Sequence, residues 1–303
     1  MEIASTTLKA AEDGSYEVDG TIYGLKESVD LMKKETVLYP ANSELSEWNT
    51  RREKDVQEGA VGCETMVLEI SALDGGRLVK NVLQDAGEQG RVGMLNFASA
   101  KNPGGGFLNG AQAQVCVCSV LFCLSLIVWA QEESIARSST IYGSLMTDVA
   151  QRFYQSHRKD PKEGYYSHAI IWSPHVQLVR NDAGDWLQPV EIEMVTSCAV
   201  NAGVARRKIH DGDESKIEAT MKERMARILH VFEKQGVENL VLGSFGTGVF
   251  RNNVDVVARI WYELLVGDEA RFRNSFRRVV FAILGHPTYL TFKKTFEGKE
   301  SPL

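Results

Sequence analysis

"ENLVLGSFGTGVFRNNVDVVARIWYELL" occupies residues 238–265 and contains a complete structural unit. The nearly continuous apolar run at 238–245 reads as a strand buried on both faces. A glycine-rich loop follows. Val254, Val257, Ile260, Trp261, Leu264 and Leu265 then recur at helical spacing and predict a helix over 253–267. Asn252 or Asn253 is placed to cap that helix, because a side-chain oxygen there accepts an otherwise unpaired N–H. Strand, glycine loop and helix in this order form the repeating element of an open α/β sheet.

The same alternation extends outward from this unit. Strands are predicted at "TMVLEIS" (65–71), "RVGMLNFA" (91–98), "SHAIIWS" (167–173), "EIEMVTSCAV" (191–200) and "RRVVFAIL" (277–284), and helices at 74–86, 132–156 and 215–235. The pattern predicts an α/β fold, a three-layer α/β/α domain over 65–303 with a mixed, largely parallel central sheet. Residues 1–64 differ: a helix, a hairpin around "SYEVDGTIYGL" and the stretch "KKETVLYPANSEL" read as an N-terminal extension packed on that domain.

Composition narrows the function. The chain has 303 residues, 44% hydrophobic and 24% charged, with a net charge of −6. A general DNA or RNA binder would carry a basic surface, so direct nucleic-acid binding is not expected. The basic run Arg206, Arg207, Lys208 reads as a solvated turn. Three of the five cysteines, Cys116, Cys118 and Cys123, sit in one short run. The other two, Cys63 and Cys198, have no metal-ligand spacing and form no disulfide framework, which fits a reducing compartment. No metal or other cofactor is expected, and the opening "MEIASTTLKAAEDGSY" lacks the apolar centre of a secretory signal.

In an open α/β sheet, ligands bind at the C-terminal ends of strands. Two glycine-rich loops fall there, "NFASAKNPGGGF" (96–107) and "GSFGTGVFRNN" (243–253). Such loops bring backbone N–H groups close to an anion. Neither matches the dinucleotide or P-loop fingerprints, which argues against an NAD-dependent oxidoreductase and a P-loop ATPase. A third element is "QEESIARSS" (131–139), which puts Glu132 and Glu133 in the first turn of a helix, where the dipole favours negative charge.

Between the first loop and that pair lies an uncharged run, 115–130. It is shorter than the roughly 20 residues that span a bilayer core. Gln114 on one side and the glutamates on the other supply no Lys or Arg anchor, so no membrane span is expected. When 115–131 are removed, the chain reads "NPGGGFLNGAQAQEESIARSS". Those 17 residues are an in-frame length, begin with Val, whose codons start GT, and end with Gln, one of whose codons is CAG. Two readings follow: a short intron carried into the coding sequence, or a genuine lineage-specific loop.

With that run set aside, three glycines, a spacer from Phe107 to Ala113 and Q-E-E resemble the signature of poly(ADP-ribose) glycohydrolases, in particular the microbial-type branch. "GSFGTGVFRNN" is similar to that branch's second phosphate loop, and "VQLVRNDAGDWL" (176–187) to its connecting segment. "TSCAVNAG" (196–203) is similar to its T-x-P-A-P-N segment, with Cys198 and Val200 replacing prolines.

The resemblance implies a macrodomain-like fold and hydrolysis of the ribose–ribose O-glycosidic bonds of poly(ADP-ribose). Glu133 would be the catalytic acid and then the base for water, and Glu132 would hold the ribose hydroxyls. Asn102, Gly104, Gly105, Gly106 and Gln131 would contact ribose and diphosphate. Gly246, Thr247, Gly248 and Val249 would embrace the diphosphate from the other side, with Phe250 against the distal ribose and Phe245 in the loop's own packing. The implied protein is a monomer of the cytoplasm or nucleus, active in the DNA damage response on poly(ADP-ribose) or ADP-ribosylated protein. An ADP-ribose-binding macrodomain without hydrolysis, inactivated by the 115–131 run, is the alternative.

The chemistry sets a condition. Neighbouring helical residues point about 100° apart, so the two carboxylates cannot flank one bond symmetrically. One acid/base group, with the substrate's diphosphate stabilising the developing positive charge, is the arrangement to expect. A general acid at neutral pH needs a raised pKa, whereas a helix N-terminus lowers it. Burial of Glu133 in the cleft is therefore expected to outweigh the dipole.

Overall fold

The computed structural model describes residues 2–50, 62–109, 131–159, 163–208 and 214–298. The N-terminal segment supplies α1 (Glu2–Asp13), β1 (Ser15–Val18), β2 (Thr21–Gly24), α2 (Lys26–Glu35) and β3 (Val37–Tyr39). β4 (Glu64–Leu68), α3 (Ala72–Asp85), β5 (Val92–Phe97), α4 (Gln131–Ser138), α5 (Ile141–Leu145) and α6 (Asp148–Lys159) follow. Next come β6 (Ile170–Arg180), β7 (Trp186–Ser197), α7 (Ala202–Lys208) and α8 (Glu214–Lys234), then β8 (Asn239–Leu242), α9 (Val254–Leu265), β9 (Arg278–Ala282) and α10 (His286–Glu297). Residues 115–130, and with them both readings of the uncharged run, lie outside the described residues.

Seven strands form one sheet in the order β3-β6-β7-β5-β8-β9-β4. The β7-β5, β5-β8, β8-β9 and β9-β4 pairs are parallel, and β3-β6 and β6-β7 are antiparallel. The expected mixed, largely parallel α/β sheet is the one that forms. Side chains alternate across it: Met94 enters a core shared with α1 through α6, and Leu95 enters the opposite core under α7 through α10.

Three local features depart from the pattern read in the sequence. The segment 176–187, expected as a connection, is the outer half of a long β6–β7 hairpin. Its turn closes where Asn181 N donates to Asp185 O at 3.1 Å and Asp185 N donates to Asn181 Oδ1 at 2.9 Å. The helix expected over 132–156 breaks into α4, α5 and α6. Ser139 forms an isolated bridge with Leu178 there, and its hydroxyl donates to Ile135 O at 2.7 Å, so local side-chain bonds compete with the helix ladder. Val37–Tyr39 joins the main sheet as an edge strand, with Val37 opposite Trp172.

The ends of elements follow their side chains. Asn253 is the cap of α9, its Oδ1 accepting from Val256 N at 3.2 Å. Asn252 turns inward instead. α1 is fastened to the hairpin by Arg180, which donates to Thr6 and Thr7 hydroxyls and lies 3.4 Å over the Trp186 ring. Thr7 in turn donates to Arg137 O at 2.7 Å, so the N-terminal helix braces α4.

Candidate active site

β5 runs between β7 and β8, so the segments following these three strands emerge side by side at one end of the sheet. Ala98 N donates to Ser197 O at 2.9 Å, extending the β5–β7 contact. On the other side, β5 pairs with β8 only from Val92 to Met94. A strand's N–H and C=O groups alternate sides, so Leu95 O and Phe97 N face this gap. The Gln131 amide fills it, with Oε1 accepting from Phe97 N at 2.8 Å and Nε2 donating to Leu95 O at 2.7 Å. Gln131, implied as a substrate contact, thus bonds to the strand and fixes the start of α4.

That anchor sets both carboxylates. Glu132 lies on the same helical face as Ile135 and Ala136, three and four residues on, and both of these are core residues. It is accordingly only 3% exposed. Its Oε2 accepts from Ser99 N at 2.6 Å and its Oε1 from Gly104 N at 3.1 Å. Burial pushes the Glu132 carboxyl up to about 8, against the pull of these two N–H donors, and the neighbouring Glu133 charge adds to the rise. From the sequence alone, this burial is expected at Glu133. It falls on Glu132 because the core-facing stripe of α4 passes through 132, 135 and 136.

Glu133 is half-buried, and its Oε1 accepts from Gly106 N at 2.9 Å. Its Oε2 accepts from none of the described residues. The loop closes tightly over this pair. Gly104 and Gly105 have φ of 69° and 63°. A Cβ on Gly105 would lie 3.1 Å from Glu133 Cγ and 3.3 Å from Glu132 Oε2. Consecutive left-handed conformations against a carboxylate wall require glycine. Gly105 N is itself bonded to Asn102 O at 3.0 Å, so all three glycine N–H groups are engaged within the protein.

The second loop is built differently. Phe245 is buried edge-on against Phe97, with ring centroids 5.6 Å apart. Gly246 has φ 74°, and a Cβ there would sit 2.3 Å from Ala199 Cβ, so the loop presses on the segment following β7. Asn252 Nδ2 locks that contact by donating to Val200 O at 2.7 Å and Gly246 O at 2.9 Å. Thr247 N and Arg251 N are spent on turn carbonyls. The N–H groups of Gly246, Gly248, Val249 and Phe250 donate to none of the described residues. Successive unspent donors in a turn make an anion-binding concavity.

The remaining implied residues take distinct places. The Asn102 side chain is exposed on the first loop, and the Val249 side chain projects into solvent at 78% exposure. Phe250 is half-buried, 6.1 Å from the ring of Tyr166. Behind that wall lies Arg224, fully buried on α8, which donates to Cys198 O at 2.9 Å and Tyr165 O at 2.8 Å. Its position was not read from sequence, where it is one of several charges along a long helix. Ser99 also escaped notice, because its contribution is a backbone N–H. Among the described residues no group of three or more His, Cys, Asp or Glu is placed to hold a metal, and no helix is long and apolar enough to cross a membrane.

A carboxylate pair under one glycine loop, beside a neighbouring loop with unspent N–H groups on the rim of a mixed α/β/α sheet, defines a macrodomain-type hydrolase. The sequence model for the microbial-type PARG catalytic domain matches residues 4–126 and 128–181, and the chain belongs to that family. Solved structures agree. Poly(ADP-ribose) glycohydrolase from Thermomonospora curvata superposes with a TM-score of 0.82 at 29% identity, covering 97% of this chain and 98% of that one. The same enzyme bound to the inhibitor ADP-HPD gives 0.79 at 30% identity, covering 97% of each. The Deinococcus radiodurans enzyme in complex with ADP-ribose gives 0.73 at 31% identity, covering 93% of this chain and 99% of that one. A search of curated proteins finds no match.

Proposed function

We propose that this glycohydrolase cleaves the ribose–ribose O-glycosidic bonds of poly(ADP-ribose), releases ADP-ribose, and divides the work between its two loops. The unspent N–H groups of Gly246, Gly248, Val249 and Phe250 hold the diphosphate, and Phe250 with Tyr166 walls the distal ribose. The first loop holds the acid. Glu133 is the arm that reaches the substrate, and Glu132, sealed behind it, is kept protonated at neutral pH by burial and braces the glycine loop.

In the reaction, Glu133 donates a proton to the leaving ribose oxygen as the C1–O bond breaks, and the carboxylate it leaves is the base for the next step. The diphosphate stabilises the oxocarbenium-like centre that develops. The Glu133 carboxylate then takes a proton from water, and the hydroxide equivalent bonds to C1. The observation that carries this reading is the 2.9 Å bond from Gly106 N to Glu133 Oε1, which holds one oxygen while the other accepts from none of the described residues.

Glu133→Gln is expected to abolish ADP-ribose release from automodified polymerase while leaving ADP-ribose binding intact. Turnover at the parent rate would remove Glu133 from this role. For the run 115–131 we propose the intron reading. Its removal brings Gln114 directly before Glu132, so the chain keeps an amide at the position that fills the β5 gap. A dominant mature transcript that retains these codons would overturn it.

A further inference from the structure

Three cations lie along the rim of the site and are not used by the chemistry above: Lys101, Arg158 and Arg251. All three side chains are exposed, and none has a carboxylate partner among the described residues. Their neighbour Arg206 differs, since its Nη2 is 2.9 Å from Glu214 Oε2. Glu163, exposed ahead of Gly164, forms no ion pair with any of them.

Contacts trace the rim's course. Arg158 Nε donates to Lys101 O at 2.8 Å, which sets Arg158 against the turn leading into Gly104. The residue before it, His157, has its ring 5.7 Å from that of Tyr166, which is 6.1 Å from that of Phe250. Gly203 N donates to Phe250 O at 3.1 Å. The Arg251 stem lies across Gly203, with Cδ 3.2 Å from where a Cβ would stand. Arg251 holds φ at 58°, an uncommon conformation for a residue with a side chain, and Arg206 Nη1 fixes it by donating to Arg251 O at 2.7 Å. The cations thus bracket the Tyr166–Phe250 wall from both sides.

We infer that Lys101, Arg158 and Arg251 form a binding site for the diphosphate of the polymer unit on the leaving side of the bond being cut. The inference rests on the proposed function, in which the distal ribose lies against Tyr166 and Phe250. The leaving oxygen belongs to the ribose of the adjoining unit, which carries its own diphosphate a few bonds away. A single ADP-ribose has no such second diphosphate, so the rim discriminates polymer from monomer. Exposed cations facing a polyanion act through screened attraction and counterion release, so salt weakens their contribution.

The test uses the full chain carrying Glu133→Gln, so that binding is read without turnover, with and without Arg158→Gln and Arg251→Gln. Affinities for ADP-ribose and for short purified poly(ADP-ribose) are measured across a salt series. The double variant should bind oligomer roughly tenfold more weakly, with the slope of log Kd against log salt flattened by roughly one to two. Its affinity for ADP-ribose should match the parent. Unchanged oligomer affinity and slope, or an equal loss for ADP-ribose, overturns the rim site. A parent that binds no ADP-ribose overturns the functional reading beneath it, which is a separate outcome.

Discussion

Gly104 and Glu132 are 28 positions apart in the chain, yet the Gly104 N–H reaches Glu132 Oε1 at 3.1 Å. The glycine loop and the carboxylate helix are therefore joined directly, by this bond and by those from Ser99 and Gly106. Two of its three glycine N–H groups, with that of Ser99, end on the carboxylates, so the loop is a clamp on that pair. In the other loop the N–H groups of Gly246, Gly248, Val249 and Phe250 remain unspent among the described residues, which is what the proposed diphosphate role draws on.

The clamp has no room to spare at Gly105. An alanine there would meet Glu133 Cγ at 3.1 Å and Oε1 at 3.2 Å while adopting φ 63°. The left-handed conformation alone costs roughly 1–2 kcal/mol for a residue with a Cβ. Displacing Glu133 by about an ångström should lower kcat on the order of a hundredfold. Gly105→Ala should therefore show a modest loss in urea stability and a large loss in kcat. A kcat equal to the parent's would mean that the loop does not position the acid.

Gln131 sits where β5 and β8 part, and its amide stands in for a missing strand neighbour. Leucine at this position fills the space and leaves Leu95 O and Phe97 N without partners. Each lost partner costs about 1–3 kcal/mol when the group stays shielded from water. Gln131→Leu should therefore destabilise the fold by about 2–4 kcal/mol in chemical unfolding. It should also lower kcat, because α4 loses its anchor. A stability change below about 0.5 kcal/mol would show that the amide is dispensable.

How far the sequence reveals this site depends on the kind of bond involved. The apolar runs before both loops and the spacing from Val254 to Leu265 made the sheet and α9 legible, because burial on both faces writes a periodic record. Val37–Tyr39 is too short to carry a period, and its place at the sheet edge comes from β6. The break after Ser138 comes from hydroxyls that bond locally, which an apolar pattern does not register. The two glycine loops look alike as text. Their difference lies in which backbone N–H groups are spent, and that depends on carboxylates brought in from elsewhere in the chain. The burial of Glu132 was legible in principle, since 132, 135 and 136 share one helical face.

The buried Glu132 carboxyl makes a pH prediction. Burial raises Glu132 to about 8, above its ordinary 4.5. A raised carboxyl keeps its stabilising, protonated form fully below the unfolded pKa and loses it as pH climbs through the folded one. Thermal stability should therefore decline between roughly pH 5 and 8. The acid-dependent rate should fall as pH rises past about 8. Glu132→Gln, which has no proton to lose, should flatten both profiles. An alkaline limb of kcat/KM that persists unshifted in the variant would assign that titration to another group.

Far from the cleft, Glu233 carries the opposite behaviour. Its Oε1 accepts from Arg271 Nη1 at 3.0 Å and Ser275 Oγ at 2.6 Å, and its Oε2 from Arg271 Nη2 at 3.0 Å and His230 Nδ1 at 3.1 Å. These bonds tie α8 to the segment entering β9. Burial works to raise the Glu233 carboxyl, but the hydrogen bonds from His230, Arg271 and Ser275 prevail and hold it at about 2, against an ordinary 4.5. A lowered carboxyl contributes stability above its unfolded pKa and loses it as pH falls through the folded value. The difference corresponds to about 3 kcal/mol at roughly 1.4 kcal/mol per pH unit. Glu233→Gln should therefore melt well below the parent at pH 7. The gap should narrow steadily from about pH 4.5 down to about pH 2, as the parent's carboxyl takes up its proton. A gap that stays constant across that range would mean the network stabilises through packing and neutral hydrogen bonds, with the charge on Glu233 contributing nothing.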